Sequence, residues 1–198
     1  MTSSEQPQKE TLEQRIQRVV REEISIVPYD ANWPRLFQEE KEHLLGCLPK
    51  ELIKRIEHFG STAVPGLWAK PIIDIFVEVT SLKQTKEKIV PVLESQGYEY
   101  FWRPSLFKGQ EFHAFFIKRN EKGIRSHHIH MIESNLEDTD ELLFRDYLIG
   151  HTQTAAEYQL LKLSLAKLYP NDREAYTNAK TDFIVKVTED VKRFFKKK

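Results

Sequence analysis

Apolar positions along this chain follow two regimes that meet near residue 134. Before it, short β-branched runs alternate with helix-type spacing. After it, helical spacing runs on almost without a break. Leu12, Ile16, Val19 and Val20 recur at helical intervals and predict a helix over 9–23. The run 24–27 is short and β-branched and meets Pro28, which predicts an edge strand. Asn32 is expected to cap a helix opened by Trp33 and Pro34, with Phe37, Leu44, Leu45 and Leu48 on its apolar face and Pro49 at its end. A strand is predicted over 53–59, turns at Gly60-Ser61-Thr62 and Val64-Pro65-Gly66, and a central strand over 71–79, dense in Ile and Val. The span 82–96 predicts a helix ended by Gly97, with Pro91 marking a kink or late start. Strands are predicted over 98–102, 111–119 and 125–132, the last two joined as a hairpin by the turn 120–123. Helices over 140–149, 154–168 and 172–196 follow. With no repeat and no long linker, the expected fold class is α+β. It combines a small mixed or antiparallel sheet, helices on one face, and a C-terminal helical bundle.

Composition narrows the class. The 198 residues suit one large domain and can bury roughly 70% of the unfolded surface, so no covalent staple is needed. Cys47 stands alone, which excludes an intramolecular disulfide framework and a Cys-rich zinc site. No apolar run reaches membrane-spanning length, and the polar start lacks a signal-peptide core. The expectation is a cytosolic protein with no membrane partner, with 1–8 as a disordered start. Lys plus Arg and Asp plus Glu are both 30, so the formal charge is zero. Such a chain does not attract polyanions broadly, and no basic stripe with interleaved aromatics is present, so nucleic acid is not an expected partner. Any anion must be held locally.

One stretch offers such a place. The strand ending at Phe59 runs into Gly60-Ser61-Thr62, where glycine admits close backbone approach and two hydroxyls add donors. Asp74 then falls inside an apolar strand, where a carboxylate is costly unless paired, and a divalent cation is one such partner. The plain alternative is an ordinary turn and a hydrogen-bonded aspartate. Alternation puts Asp74, Phe76 and Glu78 on one face. Glu78, a candidate second carboxylate, lies about 13 Å along the strand and is too far to share an ion.

His128 and His130 share a face of the strand 125–132, opposite His127, Ile129 and Met131. They suit a transition metal or a phosphate, or they are ordinary hydrogen-bonded polar groups. Near Asp74 they would form a two-histidine, one-carboxylate set that favours Mn, Fe, Zn or Ni over Mg. Arg145 either pairs with Asp146 or points at a phosphate. Tyr158 and Lys162 share a helix face, as do Tyr176 and Lys180. Each pair is either a solvated face or a source of stacking and charge for a nucleotide. Arg103, Lys108, His151 and the terminal Lys196-Lys197-Lys198 are expected at the surface, and Trp68 either walls a pocket or plugs the core.

Taken together the chain resembles the GrpB family, nucleotidyltransferase-like proteins of the polymerase-β superfamily. The marks are Pro28-Tyr29, Trp33-Pro34, the stretch Gly60 to Gly66, Ala69-Lys70-Pro71, Ile73-Asp74-Ile75, His128-Ile129-His130, Phe144 to Leu148, and the helix carrying Tyr176 and Lys180. The resemblance covers about 26–198, with an α+β part over 26–134 and a helical part over 135–198. The first 25 residues are a partly helical extension. It implies a nucleotidyltransferase-type sheet and metal-dependent transfer of a nucleotidyl group from a nucleoside triphosphate to an unidentified acceptor. Gly60, Ser61 and Thr62 would cradle the triphosphate. Asp74 would be the catalytic metal holder for Mg or Mn, with His128 and His130 completing the ligand set or touching phosphate. Lys70, Arg145, Lys162 and Lys180 would be further phosphate contacts. Active relatives carry a second carboxylate two residues beyond the first, where this chain has Phe76. The alternatives are therefore a non-catalytic nucleotide- or metal-binding regulatory module and a metal-assisted phosphohydrolase.

Overall fold

A computed structural model describes residues 10–104, 112–133 and 139–195. The expectations for 1–8, Lys108, Glu111 and Lys196-Lys197-Lys198 lie outside these residues. Helices α1 (Leu12–Val20) and α2 (Trp33–Cys47) precede β1 (Ile53–Phe59) and β2 (Ile73–Val79). Next come α3 (Leu82–Gln84), a π turn (Thr85–Ile89), α4 (Val90–Ser95), β3 (Glu99–Pro104), β4 (Phe112–Arg119) and β5 (Arg125–Glu133). The chain then enters α5 (Asp140–Gly150), α6 (Thr152–Leu168) and α7 (Arg173–Phe195).

The five strands form one sheet in the order β1-β2-β5-β4-β3. The β2–β5 pair is parallel and the other three pairs are antiparallel, so the sheet is mixed. The predicted β4–β5 hairpin is present. Asn120 Oδ1 accepts the Lys122 and Ile124 amides at 3.0 Å, and Gly123 supplies the positive φ the turn needs.

Alternation sorts the chemistry by face. Ile73, Ile75, Val77, Ala114, Phe116, Ile129 and Met131 bury against Trp33, Leu44 and Leu48 of the α2 region and Leu93 of α4. Each such apolar side chain contributes about 1.5–3 kcal/mol. Asp74, Phe76, His128 and His130 consequently stand on the opposite face. There Phe76 and Ile132 pack with Leu142 of α5. Val64 and Leu67 pack with Phe144, Leu148 and Tyr158, which ties the loop after the Gly-Ser turn to the C-terminal helices. Val19 of α1 packs on Phe101, Phe115 and Ile117 of the outer strands.

Two local expectations are corrected, and the break expected at Pro91 takes a particular form. The run 24–27 adds no strand to the sheet. Val27 makes an isolated bridge to Ala69, while Ile24 donates its amide to the Pro170 carbonyl and buries against Leu165 and Tyr176, so helices satisfy its apolar side chain. Asn32 does not cap α2. Its backbone is helical and Asp30 Oδ1 accepts its amide at 2.8 Å. The helix over 82–96 is interrupted by the π turn, since Pro91 has no N–H to continue an ordinary ladder and a wider turn absorbs the register. Among the described residues no helix is long and apolar enough to cross a membrane.

Candidate functional site

A cavity of about 740 Å³ opens on the sheet face that carries Asp74. Its lining includes Gly60, Ser61, Thr62, Lys70, Asp74, His128, His130, Arg145, Lys162 and Lys180, so residues spread over 121 positions of sequence (60 to 180) meet at one place. The volume falls in the range of small-molecule sites.

The centre is built by strand register. Asp74 of β2 pairs with His128 of β5, and Phe76 pairs with His130. Asp74 Oδ1 and His128 Nδ1 are 3.0 Å apart. Asp74, His128 and His130 each offer one ligand atom, all within 4.8 Å of one another. A third histidine, His113 of β4, places Nε2 3.2 Å from His130 Nδ1. The sequence reading missed it, although its strand phase matches that of Phe115, whose ring lies 4.8 Å from that of His130.

Burial raises the Asp74 carboxyl, but the His128 hydrogen bond and the charges of His128, His130 and Lys70 outweigh it, so the group sits below the usual carboxylate range. Burial drives His128 down to about 4 against the pull of Asp74, and holds His130 well below its ordinary value. The site thus presents an ionised carboxylate and neutral imidazoles, which are the ligating forms of both. The Asp74–His128 spacing of 3.0 Å is that of their hydrogen bond, and all three donor atoms lie within 4.8 Å of one another. The donor set therefore fits a divalent cation, and His113 stands where it can orient His130.

Gly60 explains the turn. Its φ of +69° with ψ of −168° belongs to a region that glycine alone occupies readily, and a Cβ there would stand 2.6 Å from Asp74 Oδ2. Ser61 stands beside the Tyr158 side chain. Thr62, only 1% exposed, donates its hydroxyl to the Ile72 carbonyl at 3.4 Å and lies 3.0 Å from His58 Nε2. Its side chain thereby braces the turn.

Cations crowd the walls. Seven Lys and Arg residues line the cavity (Lys70, Arg103, Arg125, Arg145, Lys162, Arg173, Lys180) against three carboxylates (Asp74, Glu141, Glu174). The chain, neutral overall, gathers more basic than acidic side chains here. Lys162 is 2% exposed, stands 4.9 Å from the Tyr158 ring centre and donates to the Trp68 carbonyl. Burial pushes it down to about 7. Lys70 and Lys180 lie 5.3 and 5.2 Å from the Tyr176 ring centre. Lys70 is held well below its ordinary value by burial and by the nearby Lys180 and Arg173. Both Tyr-x-x-x-Lys faces therefore turn towards the cavity, with Tyr158, Tyr176 and Lys162 buried and Lys180 half-buried.

The remaining expectations divide. Arg145 does pair with Asp146, at 2.7 Å, and also donates to the His58 carbonyl at 2.6 Å. Arg103 is not a surface residue. It lines the cavity with its guanidinium 4.8 Å from the Phe115 ring centre. Arg125 and Arg173 also line it and were not singled out from sequence, where isolated arginines carry no positional signal. Glu78 lies away from the centre, bound to Arg55 at 2.8 Å and Lys54 at 3.3 Å. Trp68 is 38% exposed, and it is its backbone that meets Lys162 and Gln159. His151 is exposed, as expected.

These features define an α+β protein whose sheet and helices enclose a cavity lined by apolar side chains together with seven Lys and Arg residues. The GrpB protein family model matches residues 23–190, and the chain belongs to that family. It is 38% identical over 170 residues to the glutamate-rich protein GrpB of Alkalihalophilus pseudofirmus, covering 85% of this chain and 96% of that one. Bacillus subtilis YqkA is 36% identical over 174 residues, with 87% of this chain but 48% of YqkA covered. A crystal structure of GrpB from Enterococcus faecalis superposes with a TM-score of 0.73 at 31% identity, over 86% of this chain and 99% of that one.

Proposed function

We propose that this protein is a metal-dependent nucleotidyltransferase acting on a small acceptor. The observation that carries the reading is the convergence of Asp74, His128 and His130 in a cavity lined by seven Lys and Arg side chains. A nucleoside triphosphate brings three to four negative charges and a divalent ion, and the cavity offers complements to both. The Gly60-Ser61 turn would receive the phosphates beside Asp74. Lys70, Lys162 and Lys180 would hold phosphate oxygens, with Arg145 bracing the end of β1 through the His58 carbonyl. Asp74, His128 and His130 would hold the divalent ion, whose chemistry is to polarise the transferring phosphoryl group. The Tyr158 and Tyr176 rings would keep water from the lysines, and a bound anion would draw protons onto Lys162 and Lys70.

Phe76 favours a second reading. The position of a second carboxylate is filled by an aromatic ring packed with Phe59, Ile132 and Leu142, which suits a nucleotide- or metal-binding module without transfer chemistry. One experiment separates the readings. The protein is incubated with labelled nucleoside triphosphates, Mg or Mn, and a small-molecule cell extract. Pyrophosphate release lost in Asp74→Asn supports transfer. Inorganic phosphate release indicates hydrolysis. A nucleotide-dependent thermal shift with neither product indicates the module.

A further inference from the structure

Arg103 of β3 and His113 of β4 stand directly opposite each other, on the face that also carries the Phe101–Phe115 pair. Both line the cavity. Residues so paired hold their Cβ atoms about 4.5–5.5 Å apart, within reach of one small ligand. Phe115 adjoins both and links them to the Asp-His centre, since its ring lies 4.8 Å from that of His130 and 5.1 Å from that of His128.

Each residue has polar capacity that the protein does not use. The Arg103 guanidinium rests on the Phe115 ring, and among the described residues no hydrogen bond or ion pair holds it. Asp74 attracts it without an ion pair and Arg125 repels it. The other cavity arginines differ. Arg125 binds Glu22 and the Val19 carbonyl, and Arg145 binds Asp146 and the His58 carbonyl. His113 is 6% exposed, and its Nδ1 is buried with no partner among the described residues. A half-buried charge and a buried ring nitrogen left unpaired both cost stability, which a ligand can relieve. The neighbouring centre decides what that nitrogen offers. His113 Nε2 lies 3.2 Å from His130 Nδ1, the rings are within 17° of coplanar, and one proton lies between them. With that proton on His130, whose Nε2 is left for an ion, His113 accepts through Nε2 and carries its own proton on Nδ1. The pair then presents only N–H donors, one of them charged, which complements an oxyanion.

We propose that Arg103 and His113 form an oxyanion subsite beside the Asp-His centre, and that it takes a phosphate group. The planar guanidinium engages two oxygens side by side. A carboxylate has no third oxygen, whereas a phosphate keeps one for His113 Nδ1–H. The subsite does not depend on transfer chemistry, and the phosphate it takes is either free or carried by a nucleotide.

The test titrates the full chain with inorganic phosphate by calorimetry and records the melting point of the ligand-free protein. Arg103→Gln should weaken phosphate binding about tenfold or more, the scale of losing a charge-assisted hydrogen bond. The same variant should melt no lower than the parent, because the charge it removes is unpaired. Arg103→Lys should recover only part of the affinity, since an ammonium lacks the two-pronged geometry. His113→Phe should weaken phosphate, while His113→Gln, whose amide can meet both His130 and the anion, should bind as the parent does. No phosphate binding in the parent, or equal binding in the parent and Arg103→Gln, overturns the proposal. So does an Arg103→Gln protein that melts several degrees lower, which would make the guanidinium a structural partner of Phe115. The thermal shift given by nucleoside triphosphate with Mg then identifies the source. A shift that needs Arg103 assigns the subsite to a nucleotide's phosphate, and a shift indifferent to Arg103 assigns it to a free phosphate. Phosphate binding that needs Arg103 in a protein with no nucleotide shift keeps the subsite and rejects the transferase reading instead.

Discussion

Gly60 and Asp74 are in such close register across β1 and β2 that a single methyl group on Gly60 would stand 2.6 Å from Asp74 Oδ2. Phe59, the residue before the glycine, pairs directly with Asp74. The turn and the carboxylate are therefore one unit, and neither can be altered without the other feeling it.

Gly60→Ala should combine a strained positive φ with a clash against the carboxylate. The expected cost is about 1–3 kcal/mol, read as a lower melting point, together with loss of divalent-ion binding. Thermal denaturation and Mn titration by electron paramagnetic resonance check both. A variant that melts normally and still binds Mn would reject the coupling.

Asp74→Asn should abolish ion binding while keeping the fold, because an amide can still hydrogen-bond to His128 but carries no charge. Circular dichroism should match the parent, and bound metal measured by elemental analysis should fall to background. Retained stoichiometric metal would place the ion elsewhere.

Phe76→Asp restores the carboxylate spacing of active relatives but should not restore activity. The new charge would be buried among Phe59, Ile132 and Leu142 and leave a cavity, at a cost of about 3–5 kcal/mol. The measurement is chemical denaturation. Native stability in this variant would mean the side chain escapes to the cavity.

Anion binding should take up a proton. Lys162 titrates at about 7, so at pH 8 it is mostly neutral, and an anion beside it raises its affinity for a proton. Calorimetry with tripolyphosphate in buffers of different ionisation enthalpy should show uptake that falls by up to about one proton in Lys162→Met. Equal uptake in both proteins would remove Lys162 from the site.

Acid should destabilise the fold before any carboxylate is protonated in bulk. Burial drives His58 down to about 4 from an unfolded value near 6.5, so the unfolded chain takes up its proton first. Its contribution is complete above about pH 6.5 and is lost as pH falls towards 4, by up to about 3 kcal/mol. His58→Gln, which can still meet Thr62, should flatten that part of the stability profile. An unchanged slope would assign it to the other buried histidines.

Much of the centre was legible because strand alternation is strict. Period two placed Asp74 with Phe76, and His128 with His130, on one face, and the glycine turn was readable from residue type. The hairpin at Asn120 was legible for the same reason, since the turn chemistry is local. Parallel pairing of β2 with β5 was not, because the paired residues, such as Asp74 and His128, are 54 positions apart and no local signal fixes which strand neighbours which. That pairing alone sets Asp74 opposite His128.

Sequence by itself determined which side chains share a strand face, where glycine is required, and that a chain with no net charge must hold an anion locally. Tertiary structure decided where. It buried Lys162 against Tyr158 and set Lys180, half-buried, against Tyr176, where helical spacing alone could as well have left both in water. It drew Arg103, Arg125 and Arg173 into the same cavity, and set α1 as its apolar wall. Periodicity acts along one element, whereas the burial and crowding that shift charge and create a site arise only when distant elements pack.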